Sequence, residues 1–210
     1  MLEPLQGEGG VNVPPEGYLQ AVREICDRHK LLLVFDEVQV GCGRTGTLFA
    51  HQQDGVEPDI MTLAKALAGG PPIGAMIARE EVAESFGPGT HGSTFGGNPL
   101  MAAAAVTATR VLLEDGILEN CRAMGDHLRR RLEELKGRYD FIGEIRGRGL
   151  ILGMELSTPG AGIVKEALQR GLIINCTVDK VLRFLPPLTV SKEEIDEAID
   201  ILDSILAQQD

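Results

Sequence analysis

Two ionisable residues, Asp36 and Lys65, each stand at the end of an apolar, strand-like run of this 210-residue sequence. Asp36 directly follows the apolar residues 31–35, and Lys65 closely follows the run 59–63. A lysine amine can form an imine with the aldehyde of pyridoxal phosphate (PLP). A carboxylate can keep the pyridine nitrogen of that cofactor protonated, so that the ring accepts electrons. The pair therefore predicts PLP chemistry.

Each of these residues also has an ordinary structural explanation. A lysine is usually a surface charge, although the apolar neighbours of Lys65 favour a functional amine. A carboxylate at the carboxyl end of a strand in an α/β sheet often belongs to a ligand site, but Asp36 could instead cap a following helix. Gln39 could donate a hydrogen bond to the phenolic oxygen of a pyridoxal ring, and alone it is a weak signal.

Two further segments could bind anions. Residues 91–99 form a run of small residues, with Ser93 and Thr94, that leads into a helix. Their hydroxyls and backbone N–H groups could hold a phosphate, or the loop could be a turn with Asn98 as the helix N-cap. Arg183 stands among apolar residues, and a buried arginine needs an anionic partner. That partner could be a structural carboxylate or a substrate carboxylate.

Short apolar runs alternate with helical patterns, which predicts an α/β fold. The predicted strands are 31–35, 59–63, 73–78, 144–156, 172–176 and 181–184. The predicted helices are 16–30, 98–113, 117–135 and a last one after a capping box of Ser191 and Glu194. The unbroken run 31–35 predicts a strand covered on both faces, as in a parallel sheet. The basic run 129–131, on the outer face of its helix, is predicted to be solvated.

Length and composition bound the possible functions. We expect two domains, 1–115 and 116–210, in a chain with 43% apolar residues. A net charge of −11 argues against nucleic acid, and no apolar run approaches the length of a membrane helix. The N-terminus has no signal-peptide pattern. The four cysteines and four histidines have no metal-ligand spacing, which predicts reduced thiols in a cytoplasmic protein without a metal site.

Five segments resemble, in order, the motifs of class III (omega) aminotransferases, which are PLP enzymes of fold type I. Residues 3–11 read E-P-L-Q-G-E-G-G-V, and residues 35–46 read F-D-E-V-Q-V-G-C-G-R-T-G. Residues 58–67 read P-D-I-M-T-L-A-K-A-L, the segment of the family's cofactor lysine. Residues 91–100 read H-G-S-T-F-G-G-N-P-L, and residues 183–188 read R-F-L-P-P-L. The resemblance implies part of a mostly parallel large-domain sheet and an α+β small domain.

The resemblance also implies a role for each matching cofactor residue. Lys65 would hold PLP as an imine and, once released, would move the proton during catalysis. Asp36 would pair with the pyridinium nitrogen, and Val38 would pack on the ring face. Gln39 would bond to the ring hydroxyl oxygen. Thr94 would hold the cofactor phosphate, usually that of the neighbouring subunit in this family, so a homodimer is expected.

Three more residues are implied at the substrate. Ser93 would lie beside it, Arg183 would bind its α-carboxylate, and Glu8 would lie near Arg183 and mask it in one half-reaction. Within the family, the sequence from 174 to 188 looks most like acetylornithine aminotransferases, which exchange an amino group between N-acetylornithine and 2-oxoglutarate. Ornithine, succinylornithine and 4-aminobutyrate aminotransferases share the same core motifs and remain alternatives.

Family members are roughly twice as long as this chain, which begins directly at the E-P-x-Q segment. We therefore expect a C-terminal half, lacking the loop that cups the cofactor phosphate, the aromatic residue that stacks on the ring, and one carboxylate-binding arginine. Its large-domain sheet should expose unpaired strand edges. The alternative to an enzyme completed by another chain is a non-catalytic remnant that binds a full-length aminotransferase.

Overall fold

The computed structural model describes residues 1–208, which divide into two compact units. The first unit contains residues 1–4, 14–43 and 47–117. The second unit contains residues from 118 onward together with the short segments 5–13 and 44–46. The change at residue 117 lies close to the boundary we expect near 115. The assignment of 1–115 and 116–210 as domains stays a prediction, and it places both short segments in the first domain.

The first unit is a small sheet with helices. Its helices are α1 (Tyr18–His29), α2 (Glu80–Ala83) and α3 (Pro99–Glu114), with 3-10 helices at Ala50–Asp54 and Lys65–Ala68. Its strands are β1 (Val34–Asp36), β2 (Ile60–Leu63) and β3 (Ala75–Ala78). The strand order is β1-β2-β3, in which β1 is parallel to β2 and β3 is antiparallel to it.

The predicted strand 31–35 is wrong in its first half. Leu31 and Leu32 are each 56% exposed and precede β1. The reason is the end of α1: Lys30 adopts a left-handed conformation, and the Leu31 N–H still donates to the Cys26 carbonyl (2.8 Å). The chain therefore remains part of the helix terminus until it reaches Leu33, and the run is not covered on both faces.

The second unit is an antiparallel sheet covered by helices. Its helices are α4 (Ile117–Lys136), α5 (Ala161–Gln169) and α6 (Lys192–Leu206). Its strands are β4 (Ile142–Arg148), β5 (Ile151–Leu156), β6 (Asn175–Thr177) and β7 (Val181–Phe184). The strand order is β4-β5-β7-β6, and every pairing is antiparallel. The capping box of α6 is confirmed, since Ser191 Oγ accepts from Glu194 N (3.2 Å) and Glu194 Oε2 accepts from Ser191 N (2.8 Å).

Two predictions for this unit need correction. The single strand 144–156 is a hairpin, because Gly149 turns the chain with a φ of +54°. A Cβ at Gly149 would lie 2.6 Å from the Thr45 carbonyl carbon, so the close approach of segment 44–46 also requires glycine there. The basic run of α4 is only partly solvated, since Arg129 donates to the carbonyls of Ile145 (3.2 Å) and Gly147 (2.7 Å).

One continuous apolar core lies between this sheet and its three helices. Its fully buried side chains include Leu132, Leu135, Leu150, Leu152, Leu182 and Leu202. Within residues 1–208, no helix is both long and apolar enough to cross a bilayer. Across the same residues, no group of histidine, cysteine, aspartate or glutamate side chains could hold a metal ion.

Candidate PLP site

Asp36 is the last residue of β1, and its side chain is fixed by the turn that follows. The backbone N–H of Val38 donates to Asp36 Oδ1 (3.0 Å), and the Asp36 N–H donates to the Leu2 carbonyl (2.9 Å). The chain from 37 to 49 forms turns, and the next helical residue is Ala50. Asp36 therefore does not cap a helix, and its half-buried carboxylate lies at the carboxyl end of a strand, where α/β sheets place their ligands.

Lys65 lies just beyond the carboxyl end of β2 and begins a 3-10 helix. Its side chain is exposed. Its backbone has a φ of +44°, a left-handed conformation that costs a non-glycine residue about 1–2 kcal/mol. Such strain is concentrated at functional sites, where the surrounding structure holds it. The positive φ agrees with a functional position but does not by itself distinguish Lys65, because Lys30 at the end of α1 shares it.

The pairing of β1 with β2 places the two residues at the same edge of the sheet. Asp36 is in register with Thr62, and because the strands are parallel their carboxyl ends coincide. Lys65 follows Thr62 by three residues. The Thr62 hydroxyl is buried and has no hydrogen-bond partner among the described residues. An acid, an amine and an unsatisfied hydroxyl at this shared end of two strands fit a PLP ring, which needs a carboxylate at its nitrogen and an amine at its aldehyde carbon.

Gln39 and Val38 follow in the turn after Asp36, and both are half-buried. The structure thus groups them with Asp36. Ser93 and Thr94 lie apart, in a fully exposed loop between α2 and α3. Their proposed contacts to phosphate and substrate remain predictions.

The exposed loop has the turn-and-cap structure that its sequence also allows. Ser93 Oγ accepts from the Gly96 N–H (2.9 Å), which closes a turn. Asn98 is the N-cap of α3, with its Oδ1 accepting from the N–H groups of Leu100 (3.0 Å) and Met101 (3.4 Å). This bonding leaves the Thr94 side chain in solvent.

Arg183 and Glu8 belong to the second unit and form an ion pair there. Arg183 Nη2 lies 2.7 Å from Glu8 Oε1, and Arg183 Nε donates to Asn175 Oδ1 (3.2 Å). The Arg183 side chain is 6% exposed, whereas that of Glu8 is 71% exposed. The arginine is thus a buried cation whose carboxylate partner lies at the surface.

An apolar cavity of about 420 Å³ adjoins Arg183 in the second unit. Its walls come from α4, the segment 172–175, β7, the loop after it and α6, and include Phe184, Leu185, Pro186, Val190 and Ile195. A buried guanidinium beside an apolar cavity is suited to a ligand that has a carboxylate and an aliphatic part.

Three side chains near the carboxyl ends of β1 and β2 were not singled out from the sequence, namely those of Glu37, His51 and Thr62. Glu37 adjoins Asp36, and its buried carboxylate binds His51, 14 residues later. Thr62 lies within the segment 58–67 that resembles the family's lysine motif, but the resemblance implies no role for it. Adjacency to Asp36 was a signal for Glu37, but no sequence pattern connects it with His51.

The thiol of Cys42, in the turn after β1, is half-buried. Burial raises the pKa of its thiol, and the negative charge of Glu37 raises it further. Burial also raises the pKa of Cys121 and Cys176 in the second unit. Since the thiolate is the reactive form of cysteine, a raised pKa lowers the reactivity of each of these thiols at neutral pH.

Comparison with known proteins decides the family. Residues 1–206 match the family described as Aminotransferase class-III. The chain belongs to the class III aminotransferases. Members of this family and its ornithine and acetylornithine aminotransferases are PLP-dependent.

Individual relatives agree with this assignment. The chain is 52% identical to an acetylornithine aminotransferase of Methanocaldococcus jannaschii, covering 99% of this chain and 52% of the relative. It is 48% identical to ornithine aminotransferase 1 of Staphylococcus aureus, covering 95% of this chain and 50% of the relative. The chain therefore spans about half the length of the curated relatives it matches.

Solved structures show the same fold over the same part. An N-acetylornithine aminotransferase from Stenotrophomonas maltophilia superposes with a TM-score of 0.91 at 46% identity, over 100% of this chain and 56% of that one. An ornithine aminotransferase from Plasmodium yoelii superposes with a TM-score of 0.93 at 37% identity, over 100% and 57%. The predicted fold type, part of a PLP-dependent aminotransferase, is confirmed.

Proposed function

We propose that this chain supplies part of the active site of a PLP-dependent aminotransferase that acts on an omega-amino group. The most suitable amino donor is N-acetylornithine, with 2-oxoglutarate as the acceptor, in arginine biosynthesis. The names of the relatives favour the acetylornithine and ornithine type. We also propose that the complete enzyme is a cytoplasmic homodimer.

The observation that supports this function best is the shared carboxyl end of β1 and β2 in the first unit. Asp36 and Lys65 follow adjacent parallel strands, and the Asp36 carboxylate is held by the Val38 N–H. When bound, PLP supplies an electron-accepting ring that stabilises negative charge on the substrate carbon. Asp36 would hold the proton at the ring nitrogen, and Lys65 would bond to the cofactor and move a proton with its amine.

The remaining contacts would orient the cofactor. Val38 would pack on the ring face, and Gln39 would bond to the ring oxygen. Thr94, in its exposed loop, would contact a phosphate, which suits a site completed across a subunit boundary. Ser93 would lie at the substrate.

The second unit would select the substrate through Arg183. A guanidinium can bind a carboxylate with two parallel hydrogen bonds, and Glu8 now occupies one side of it. A substrate α-carboxylate would displace Glu8, which loses little because the Glu8 side chain is 71% exposed. Glu8 would return when no such carboxylate is bound, as one of two half-reactions requires.

Binding of PLP to the 210-residue chain tests the proposal. We expect an absorption band at the edge of the visible region on adding PLP, either with the chain alone or after supplying the N-terminal half of a relative. The band should disappear in Lys65→Ala. Lys30→Ala is a matched control, because Lys30 is also exposed, in the first unit and left-handed (φ +54°).

The absence of a band under both conditions would contradict the proposal. It would favour the alternative, a non-catalytic partner of a full-length aminotransferase, if the chain then co-purified with such an enzyme. Once a band is obtained, its loss on adding each amino donor identifies the substrate. N-acetylornithine should act faster than ornithine, succinylornithine or 4-aminobutyrate.

A further inference from the structure

The side chain of Glu37, next to Asp36, is completely buried and fully bonded. Its Oε2 accepts from the Ala50 N–H (2.7 Å), and its Oε1 accepts from the His51 N–H (2.9 Å). Oε1 also lies 2.8 Å from His51 Nδ1. Since an ionised carboxylate only accepts hydrogen bonds, Nδ1 bears the proton in this contact. Glu37 thus fixes the first turn of the 3-10 helix Ala50–Asp54 against the end of β1.

His51 is in turn held by aromatic rings. Its ring stacks on Phe49, with centroids 5.8 Å apart and an interplanar angle of 9°. It also lies 5.9 Å from the ring of Phe35, the residue before Asp36. The His51 side chain is only 11% exposed. The imidazole therefore lies against both neighbours of Asp36, with its ring beside the Phe35 ring and its Nδ1 at the Glu37 carboxylate.

The backbone of Glu37 links the two strands of the site. Its N–H donates to the Thr62 carbonyl (3.0 Å), three residues before Lys65. Its carbonyl accepts from the Gly41 N–H (2.9 Å), so the turn that contains Val38 is closed at this residue. A displacement of Glu37 would therefore move the turn that bonds to the Asp36 carboxylate.

We propose that Glu37 and His51 form a positioning pair that holds the Asp36 carboxylate at the cofactor's ring nitrogen. The pair acts through the backbone on both sides of Asp36 and itself touches neither substrate nor cofactor. This inference rests on the proposed function for the role of Asp36. The restraint on the Asp36 turn can be measured without PLP.

Asp59 provides a matched control in the same sheet. It is also a buried carboxylate, accepting from the Leu33 N–H (2.6 Å) and from Arg23 Nη1 (2.8 Å). It precedes β2, at the opposite end of the strands from Asp36. Asp59→Asn should therefore destabilise the first unit without acting on the Asp36 turn.

The experiment compares four variants of the 210-residue chain by amide hydrogen exchange and by PLP absorbance. Glu37→Gln places an NH2 group against backbone donors, and His51→Phe keeps the ring but removes the nitrogen. His51→Asn restores a donor near the position of Nδ1. Glu37→Gln and His51→Phe should speed exchange at Val38 and Gly41 about tenfold relative to Asp59→Asn at equal global stability. His51→Asn should remain close to wild type.

The PLP absorbance distinguishes a pair that positions Asp36 from a pair that only stabilises the fold. Glu37→Gln and His51→Phe should shift the pH midpoint of the PLP band, because the charge at the ring nitrogen changes when Asp36 moves. Asp59→Asn should leave this midpoint unchanged. Equal exchange at Val38 and Gly41 in all variants would overturn the inference. If the wild-type chain gives no band either alone or with the N-terminal half of a relative, the proposed function fails, while the exchange data still decide whether the pair restrains Asp36.

Discussion

The two units bury their apolar residues to very different extents. In the second unit, helices and sheet enclose one core that includes most of the large apolar side chains of α4 and α6. In the first unit, only Leu112 of the 16-residue helix α3 is buried, and the buried cluster around α1 and β1 is small. Leu100, Val106 and Leu113 of α3 are 53–72% exposed. The unit with the candidate PLP site therefore leaves apolar surface in water.

The difference teaches where the parts of this site come from. A four-stranded sheet with three helices can bury its own apolar faces. A three-stranded sheet cannot cover a long apolar helix, and exposed patches of this kind mark interaction surfaces. The strand edge with Asp36 and Lys65 belongs to this incompletely covered unit. The relatives are about twice as long, which agrees with a site that needs further polypeptide.

Hydrogen exchange should show the largest contrast. We expect amides of β5 and β7 in the second unit to exchange more slowly than those of the loop 91–98, by a factor on the order of a thousand or more. Protection in the exposed loop equal to that in β5 would break the comparison. Protection that appears there only at high protein concentration would instead indicate coverage by a second copy.

Truncation of leucines should show the next largest contrast. Leu132→Ala, in the core of the second unit, should lower the free energy of unfolding by about 2–5 kcal/mol. Leu100→Ala, at a residue of α3 that is 72% exposed, should change it by less than about 0.5 kcal/mol. Both values come from urea denaturation at equal protein concentration. A clear loss for Leu100→Ala would show that α3 is covered in solution.

Acid should weaken the first unit through Asp59. Burial by itself would raise the pKa of this carboxyl, but the Leu33 N–H and the Arg23 guanidinium outweigh it and hold the pKa below its ordinary value. A lowered folded-state pKa stabilises the fold above the ordinary value of 3.8 and loses that stabilisation as the pH falls through the folded value.

Asp59→Asn should therefore cost about 1–3 kcal/mol at pH 7, and the difference from wild type should shrink below pH 3.8. Amide hydrogen exchange at Leu33, recorded during denaturation at each pH, measures this difference in the first unit. A difference that stays constant with pH would mean that the charge of Asp59 does not matter. Leu132→Ala is the control, because an apolar truncation should have no such pH dependence.

The sequence predicted the helices, strands and motifs better than it predicted the burial and the long-range contacts of their residues. The capping box at Ser191 depends on residues within one turn and was correctly predicted, and the N-cap at Asn98 was one of the two alternatives for its loop. Asp36 and Lys65 were both expected at strand ends. Because β1 and β2 are parallel neighbours, both residues follow the same end of the sheet. The run 31–35 failed because its first residues belong to the terminus of α1, and apolar character alone does not reveal this.

Contacts between distant parts of the chain could not be predicted. Arg129 donates to carbonyls 16 and 18 residues away, although its neighbours suggested a solvated charge. His51 meets Glu37 only because a turn brings the 3-10 helix back to β1. The second unit also includes segment 5–13, which its position in the sequence would assign to the first domain. Each of these depends on how the chain folds back and not on local pattern.

The same substitution, Thr→Val, should change the free energy of unfolding in opposite directions in the two units. Thr62, in the first unit, has a buried hydroxyl with no partner among the described residues, whereas the Thr177 hydroxyl of the second unit donates to the Glu8 carbonyl. Thr62→Val keeps the shape, suits a strand and removes an unsatisfied group, so it should stabilise by up to about 1 kcal/mol.

Thr177→Val should instead destabilise by about 1 kcal/mol, because it removes a hydrogen bond that is made. Urea denaturation of both variants, with Thr62→Ser as a control that keeps the hydroxyl, measures the contrast. A loss of stability in Thr62→Val would mean that the hydroxyl is satisfied in solution by water. PLP binding can be measured in the same variant. If it weakens in Thr62→Val while the fold becomes more stable, the Thr62 hydroxyl contributes to binding the cofactor at the expense of stability.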